Sequence, residues 1–348
     1  MNHFFTGIFI MLCFSTLCKA QSGYNFSEKI ALQGDGSWDY LQIDESANRL
    51  FVTHDDRVHI ISLTNRKEVG TIYNLHGAHH VTVIPELNKF FVSNGKNNTV
   101  SVYNYTTLDS ITTIHIDDEN PDPMCYDVFS KKLYVFCDND KAVLIDPTDN
   151  HITGTIALGG APDFALSTGK GLIYNNLEGT DETNVIDVVK QKVIKRFPLP
   201  KHSAPTGMAF DEKNNRLFVV CRGINKMAVL DASNGKVITL LSIEGNVDGL
   251  YFDHLTKLIF CSGGSGKTTV IKQLSKDSYK VIDKLVTKVG TKTMELNPVT
   301  HDLYFAAASF VSGTNLFCQT PFVFLFLNGL AATLRHDPLK NSNFKQVG

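Results

Sequence analysis

One short motif recurs along this chain at nearly even intervals, and no other feature constrains the fold as tightly. Clear copies read Arg49-Leu-Phe-Val-Thr-His54, Lys89-Phe-Phe-Val-Ser-Asn94, Lys132-Leu-Tyr-Val-Phe-Cys137 and Arg216-Leu-Phe-Val-Val-Cys221. Weaker copies begin at Leu172, Leu258 and Leu303. Counted from the residue after the basic position, the anchors are Leu50, Phe90, Leu133, Leu172, Leu217, Leu258 and Leu303, spaced 39 to 45 residues apart. A period of roughly 40–50 residues built from short β-rich segments marks a propeller blade. Seven anchors therefore predict an all-β, seven-bladed β-propeller. Because blades close into one ring, the 348 residues are expected to form one domain rather than the two that length alone would suggest.

The fifth repeat shows the internal plan. A turn at Ala204-Pro205-Thr206-Gly207 leads into a short strand over 208–211, and a polar hairpin over 212–215 leads into Arg216–Cys221. A third strand over Lys226–Asp231 is followed by Asn234-Gly235, a strong hairpin signal, and by a fourth strand over 236–241. Four antiparallel strands thus make one blade. The second strands are nearly continuous apolar runs. A sheet covered on both faces by its neighbours requires that, whereas a half-exposed sheet would alternate.

Phe91-Val-Ser-Asn94 and Phe51-Val-Thr-His54 resemble the Tyr-Val-Thr-Asn signature of the YVTN β-propeller repeat, and Thr99-Val-Ser-Val-Tyr-Asn104 resembles the strand that follows it. The resemblance spans residues 30–310. It implies a YncE-like propeller, usually secreted or cell-surface, with no universal catalytic motif. Such a ring needs a clasp. Residues 24–32 read as a fourth strand placed ahead of the first repeat, and residues 322–327 supply the third strand of the last. The N-terminal strand is expected to complete the C-terminal blade, which hides edges that would otherwise recruit other chains.

The termini are read separately. Residues 4–17 are an apolar run too short to span a membrane, and they end in Cys18-Lys19-Ala20 before Gln21. This predicts a signal peptide over 1–20, cleaved after Ala20, and a secreted or periplasmic protein. The propeller is assigned to 21–334 and a polar, loose tail to 335–348. The apolar stretch 316–334 is broken by Gln319, Pro321, Asn328 and Gly329, so a closing strand is expected there and no transmembrane anchor. Five cysteines lie beyond the signal segment, an odd, sparse set that is no disulfide framework. Cys137, Cys221 and Cys261 fall on second strands, as small buried residues do. A formal net charge of −2 without a basic stripe argues against nucleic acid. A monomer is expected.

Candidate chemistry concentrates on the loops entering each first strand and joining second to third, which surround the channel mouth. Asp39, His80, Asp122, Asp163, Thr206, Asp248 and Lys292 lie at corresponding entries, and His54-Asp55-Asp56 occupies a second-to-third turn. The binding residues singled out are His54, Asp55, Asp56, His80, Asp122, Asp163, Asp248 and Lys292. They predict a mostly acidic basin for a cation, a small ligand or a protein or peptide partner. A divalent cation is the cofactor considered, with His54, His79 and His80 as candidate ligands. Turns also favour Asp and Asn for local hydrogen bonding alone. The expected role is binding, and the alternative is a channel enzyme, either a lactonase-type hydrolase or a metal- or quinone-dependent oxidoreductase. Gly263-Gly-Ser-Gly-Lys-Thr268 lacks the first glycine of a phosphate-binding loop and leads into a β-type run, so nucleotide chemistry is not expected.

Overall fold

The computed structural model describes residues 22–34, 37–310 and 319–328. The expected signal peptide, Cys318 and the expected tail 335–348 lie outside the described residues. Among the described residues, everything regular is antiparallel sheet apart from a few one-turn 3-10 segments. Each of the seven motif copies forms the second strand of a four-stranded sheet. Among the described residues, no helix is long and apolar enough to cross a membrane.

The expected count of seven like blades gives way to six. Blades 1 to 6 occupy residues 38–72, 78–115, 121–157, 162–198, 205–242 and 247–286, and each is built of four strands consecutive in sequence. The remaining sheet is a composite. It takes Met294–Leu296, Leu303–Phe310 and Gln319–Asn328 from one end of the chain and Tyr24–Ala31 from the other. The physical reason is that the repeat grammar runs out after the seventh motif. The first strand there has only three residues, and eight residues of sequence separate Leu303–Phe310 from its ten-residue partner. Tyr24–Ala31 pairs antiparallel with Gln319–Asn328, with a register slip between Phe26 and Glu28. Tyr24 packs edge-on against Phe260 of blade 6 at 5.0 Å, while Ile30 joins a cluster with Leu41 and Leu50 of blade 1. The composite sheet thereby bridges the last blade and the first.

The core is a set of apolar layers between neighbouring sheets. Phe51 of blade 1 meets Phe90 of blade 2 at 5.2 Å, and both are fully buried. Burying one such side chain contributes about 1.5–3 kcal/mol. Cys137, Cys221 and Cys261 are buried free thiols in these layers. Gly263 ends a strand, residues 264–266 form a turn, and Lys267–Ser275 after it is a strand, so no helix N-terminus faces that glycine-rich segment.

One irregularity positions the functional face. In every blade the pairing of first and second strands slips right after the first residue, between Trp38/Leu41, Ala78/Val81, Pro121/Met124, Pro162/Ala165, Pro205/Met208 and Val247/Gly249. Such a bulge re-aims side chains. Asp39, His79, Asp122, Asp163, Thr206 and Asp248 each stand second in their strand, at the slip.

Candidate functional site

The bulge residues and their neighbours form a circuit of charge around the channel mouth. The His79 imidazole Nδ1 bonds Asp39 at 2.7 Å and faces Asp122 at 3.8 Å. Lys292, just ahead of Met294–Leu296, pairs with Asp248 at 2.7 Å. Arg222, from the turn after Arg216–Cys221, pairs with Asp248 and Glu178 and lies 4.0 Å from Asp163. Every blade and the composite sheet therefore contribute an element to one mouth.

Five carboxyls stand against three cations in this circuit, and the surplus registers in their ionisation. Burial pushes the Asp122 carboxyl up to about 7, aided by the charge of Asp39 and opposed by His79. Asp163 is raised well above the usual carboxylate range by burial and by Asp248, against the pull of Arg222. Burial alone would lower His79, but its hydrogen bond to Asp39 and the charge of Asp122 outweigh it and lift the imidazole to about 9. Burial likewise opposes the charge on Lys292, and Asp248 more than offsets it. The Tyr40 hydroxyl sits beneath, donating to the Asp163 carbonyl at 3.3 Å, and burial plus the surrounding carboxylates hold it protonated.

Two buried polar atoms here lack a hydrogen-bond partner among the described residues: the Trp38 Nε1 and the Asp122 Oδ1. Trp38, Asp39, Asp55, His79, Lys96 and Lys292 line a cavity of about 260 Å³ at the mouth. Asp39, His79 and Asp122 each bring a ligand-type atom within 4.8 Å of the others, the one such grouping among the described residues.

The residues singled out from sequence divide three ways. Asp122, Asp163, Asp248 and Lys292 come together in the circuit. Asp55 borders it, paired with Lys96 at 2.5 Å, whereas Asp56 is exposed and held by its neighbour Arg57 at 2.6 Å. His54 and His80 stand apart. His54 is 1% exposed, inside blade 1, with its Nδ1 3.1 Å from His59, which in turn bonds Glu68 at 2.8 Å. His80 lies deeper in the channel against Tyr40, ring centroids 5.0 Å apart, and burial plus the charge of His79 lower it to about 4. The three candidate histidine ligands thus do not converge. His79 joins Asp39 and Asp122 instead, and Glu178 joins Arg222. His79 is named from sequence as a candidate ligand, and the signal that sets it apart from His54 and His80 is its position, one residue past the start of a first strand, shared with the four aspartates.

No family model and no curated protein matches the chain. Among solved structures, it is similar to hydrazine synthase of Kuenenia stuttgartiensis, with 16% identity and a TM-score of 0.67 over 76% of this chain and 91% of that one. It is also similar to the WD40 repeats of RRP9, with 8% identity and a TM-score of 0.74 over 86% of this chain and 97% of that one. At such identities the likeness is one of fold. The chain has a β-propeller fold.

Proposed function

We propose that this protein is an exported binding protein of the YVTN-repeat, YncE-like kind, which captures a positively charged ligand at the channel mouth. The observation that carries the reading is the carboxyl surplus of the circuit. Asp122 and Asp163 are crowded by like charge and burial, and an incoming cation would relieve both. Trp38 Nε1, in the wall of the mouth cavity, and Asp122 Oδ1, beside His79, are a buried donor and a buried acceptor without hydrogen-bond partners among the described residues. Rigid blades hold these groups from separate strands, so little ordering is left to be done on binding.

Trp38 is the sole tryptophan, which makes its fluorescence a reporter of this mouth. Titration with Ca²⁺, Zn²⁺ and a short oligolysine is expected to give saturable emission change with at least one of them. The double variant D39N/D122N should abolish that change while its melting temperature stays within a few degrees. Flat emission with every ligand, or an unaltered response in the variant, refutes the reading. A second reading, a metal centre, is favoured by the Asp39–His79–Asp122 grouping. It requires the Zn²⁺ or Ca²⁺ arm to respond and H79A to lose that response, whereas a peptide site responds to oligolysine. Export is checked by the intact mass of the released protein, which should begin at Gln21.

A further inference from the structure

Beyond the mouth, toward the far ends of the first strands, the channel holds a second cavity of about 410 Å³. Its wall differs in kind from the charged circuit. The rings of Tyr40, Tyr126, Phe164 and Tyr251 line it, and one carboxyl does, that of Glu295. The bulge explains how both sites exist. Consecutive residues serve both levels, Asp39 at the mouth and Tyr40 below, Asp163 above and Phe164 below.

Glu295 is 7% exposed. Its Oε2 accepts a hydrogen bond from the Tyr251 hydroxyl at 2.8 Å, and its Oε1 accepts one from the Leu296 amide at 3.3 Å. No lysine or arginine lines the cavity, and among the described residues the carboxyl has no ion pair. Isolated burial of this kind is costly, and burial accordingly pushes the group up to about 8 against the two hydrogen bonds that favour its charge. The one imidazole nearby offers no compensation, since His80 is lowered to about 4 and stays neutral. In the same lining, the Tyr40 and Phe164 rings lie with centroids 6.0 Å apart.

We propose that this inner cavity binds a small organic ammonium ion, its charge set against Glu295 and against the faces of Tyr40 and Phe164. The chemistry excludes the other classes. An anion would oppose ionisation of Glu295 and gain no attraction from the protonated acid. A bare divalent metal needs about six oxygen ligands and finds one carboxyl group. A neutral apolar molecule leaves the buried acid with no counter-charge on which to ionise. An ammonium ion supplies the missing half of an ion pair, and its alkyl surface matches aromatic walls that attract cations within about 6 Å.

The test uses the full mature protein with two ammonium probes and their neutral counterparts: choline against 3,3-dimethylbutan-1-ol, and n-butylammonium against n-butanol. Calorimetry is expected to show at least one ammonium probe binding at least tenfold more tightly than its counterpart. E295Q should lose that preference, and F164L should weaken the ammonium probe alone. Choline keeps its charge at every pH, so its affinity should rise between pH 6 and pH 9 as Glu295 ionises. Tyr251, Tyr40, Tyr126 and Cys125, all raised by burial, line the cavity with that carboxyl, as does His80, which stays neutral, and the charge of Glu45 acts on it. The four raised groups ionise above that window and His80 below it. Emission from Trp38 should stay unchanged by choline, which separates this site from the mouth. Equal binding of charged and neutral probes, no binding of either ammonium ion, or full choline affinity in E295Q overturns the proposal.

Discussion

A one-residue bulge decides which side chain of each first strand meets the mouth and which meets the inner channel. His79 and His80 show the consequence. Neighbours in sequence, they are driven in opposite directions, one held charged at about 9 and the other kept neutral at about 4. Because the folded imidazole of His79 lies above its ordinary 6.5, the stability it contributes is complete below about pH 6.5 and is lost as pH rises through 9. D39N removes the hydrogen-bond partner. It should lower the His79 pKa by about one unit or more and cost roughly 1–3 kcal/mol near pH 7. Imidazole proton NMR across a pH titration measures the first, and urea unfolding the second. An unmoved His79 titration would show that Asp39 does not hold the charge. Of this level of detail, the sequence made Asp122, Asp163, Asp248 and Lys292 legible, because turn positions align from repeat to repeat. It did not distinguish His79 from His80, since a slip of one residue reverses which face a strand residue takes. Nor could it show that His54, read as a turn residue, is sealed against His59 inside its blade.

At the scale of the strand, the basic residue that opens the motif has a purpose the pattern did not reveal. Arg49 bonds Asp44 at 2.8 Å and reaches the Tyr105 carbonyl of blade 2 at 2.9 Å, its guanidinium 4.4 Å from the Tyr105 ring centre. Lys89 donates to the carbonyls of Pro147 and Thr148 in blade 3, each at 2.8 Å. Arg216 reaches Asp277 of blade 6 at 2.7 Å. In three blades the motif's first residue therefore ties its sheet to the next, while the apolar residues behind it form the layer between them. Close approach at the centre is set by glycine instead. A Cβ on Gly207 would stand 2.2 Å from the Asp248 carbonyl oxygen and 2.9 Å from the Leu250 amide, both backbone atoms of blade 6. Neither can yield without moving a first strand. G207A should cost about 1–3 kcal/mol and should also disturb the pairing of Asp248 with Arg222 and Lys292. Thermal unfolding tests the stability loss, and weakened cation response at Trp38 tests the displacement. A variant as stable as the parent would mean that the two blades are not in register as described.

For the whole molecule, the period of the motif made the architecture legible, and the ends of the chain are where it failed to count correctly. Six blades repeat a local plan, so each can be read from its own forty-odd residues. The composite sheet joins segments about three hundred positions apart; the need for a clasp foretold the pairing of the two ends, but the motif's period did not show that this sheet departs from the plan of the other six. Its energetics rest on the same inter-sheet burial. Tyr24, Ile30 and Leu32 are all under 9% exposed and pack into layers shared with blades 6 and 1. At about 1.5–3 kcal/mol each, their removal should cost on the order of 5 kcal/mol. In a chain of this size that corresponds to roughly 5–10 °C in melting temperature. Deleting residues 22–32 also bares the outer edge of Gln319–Asn328, leaving unpaired amides and carbonyls that invite association with another copy. The truncated chain is therefore expected to melt lower and to elute partly as oligomers in size-exclusion chromatography. A synthetic peptide of residues 22–32 added in trans should recover both the monomer and the melting temperature. If the truncated chain instead melts with the parent and stays monomeric, the N-terminal strand is not part of what closes the ring.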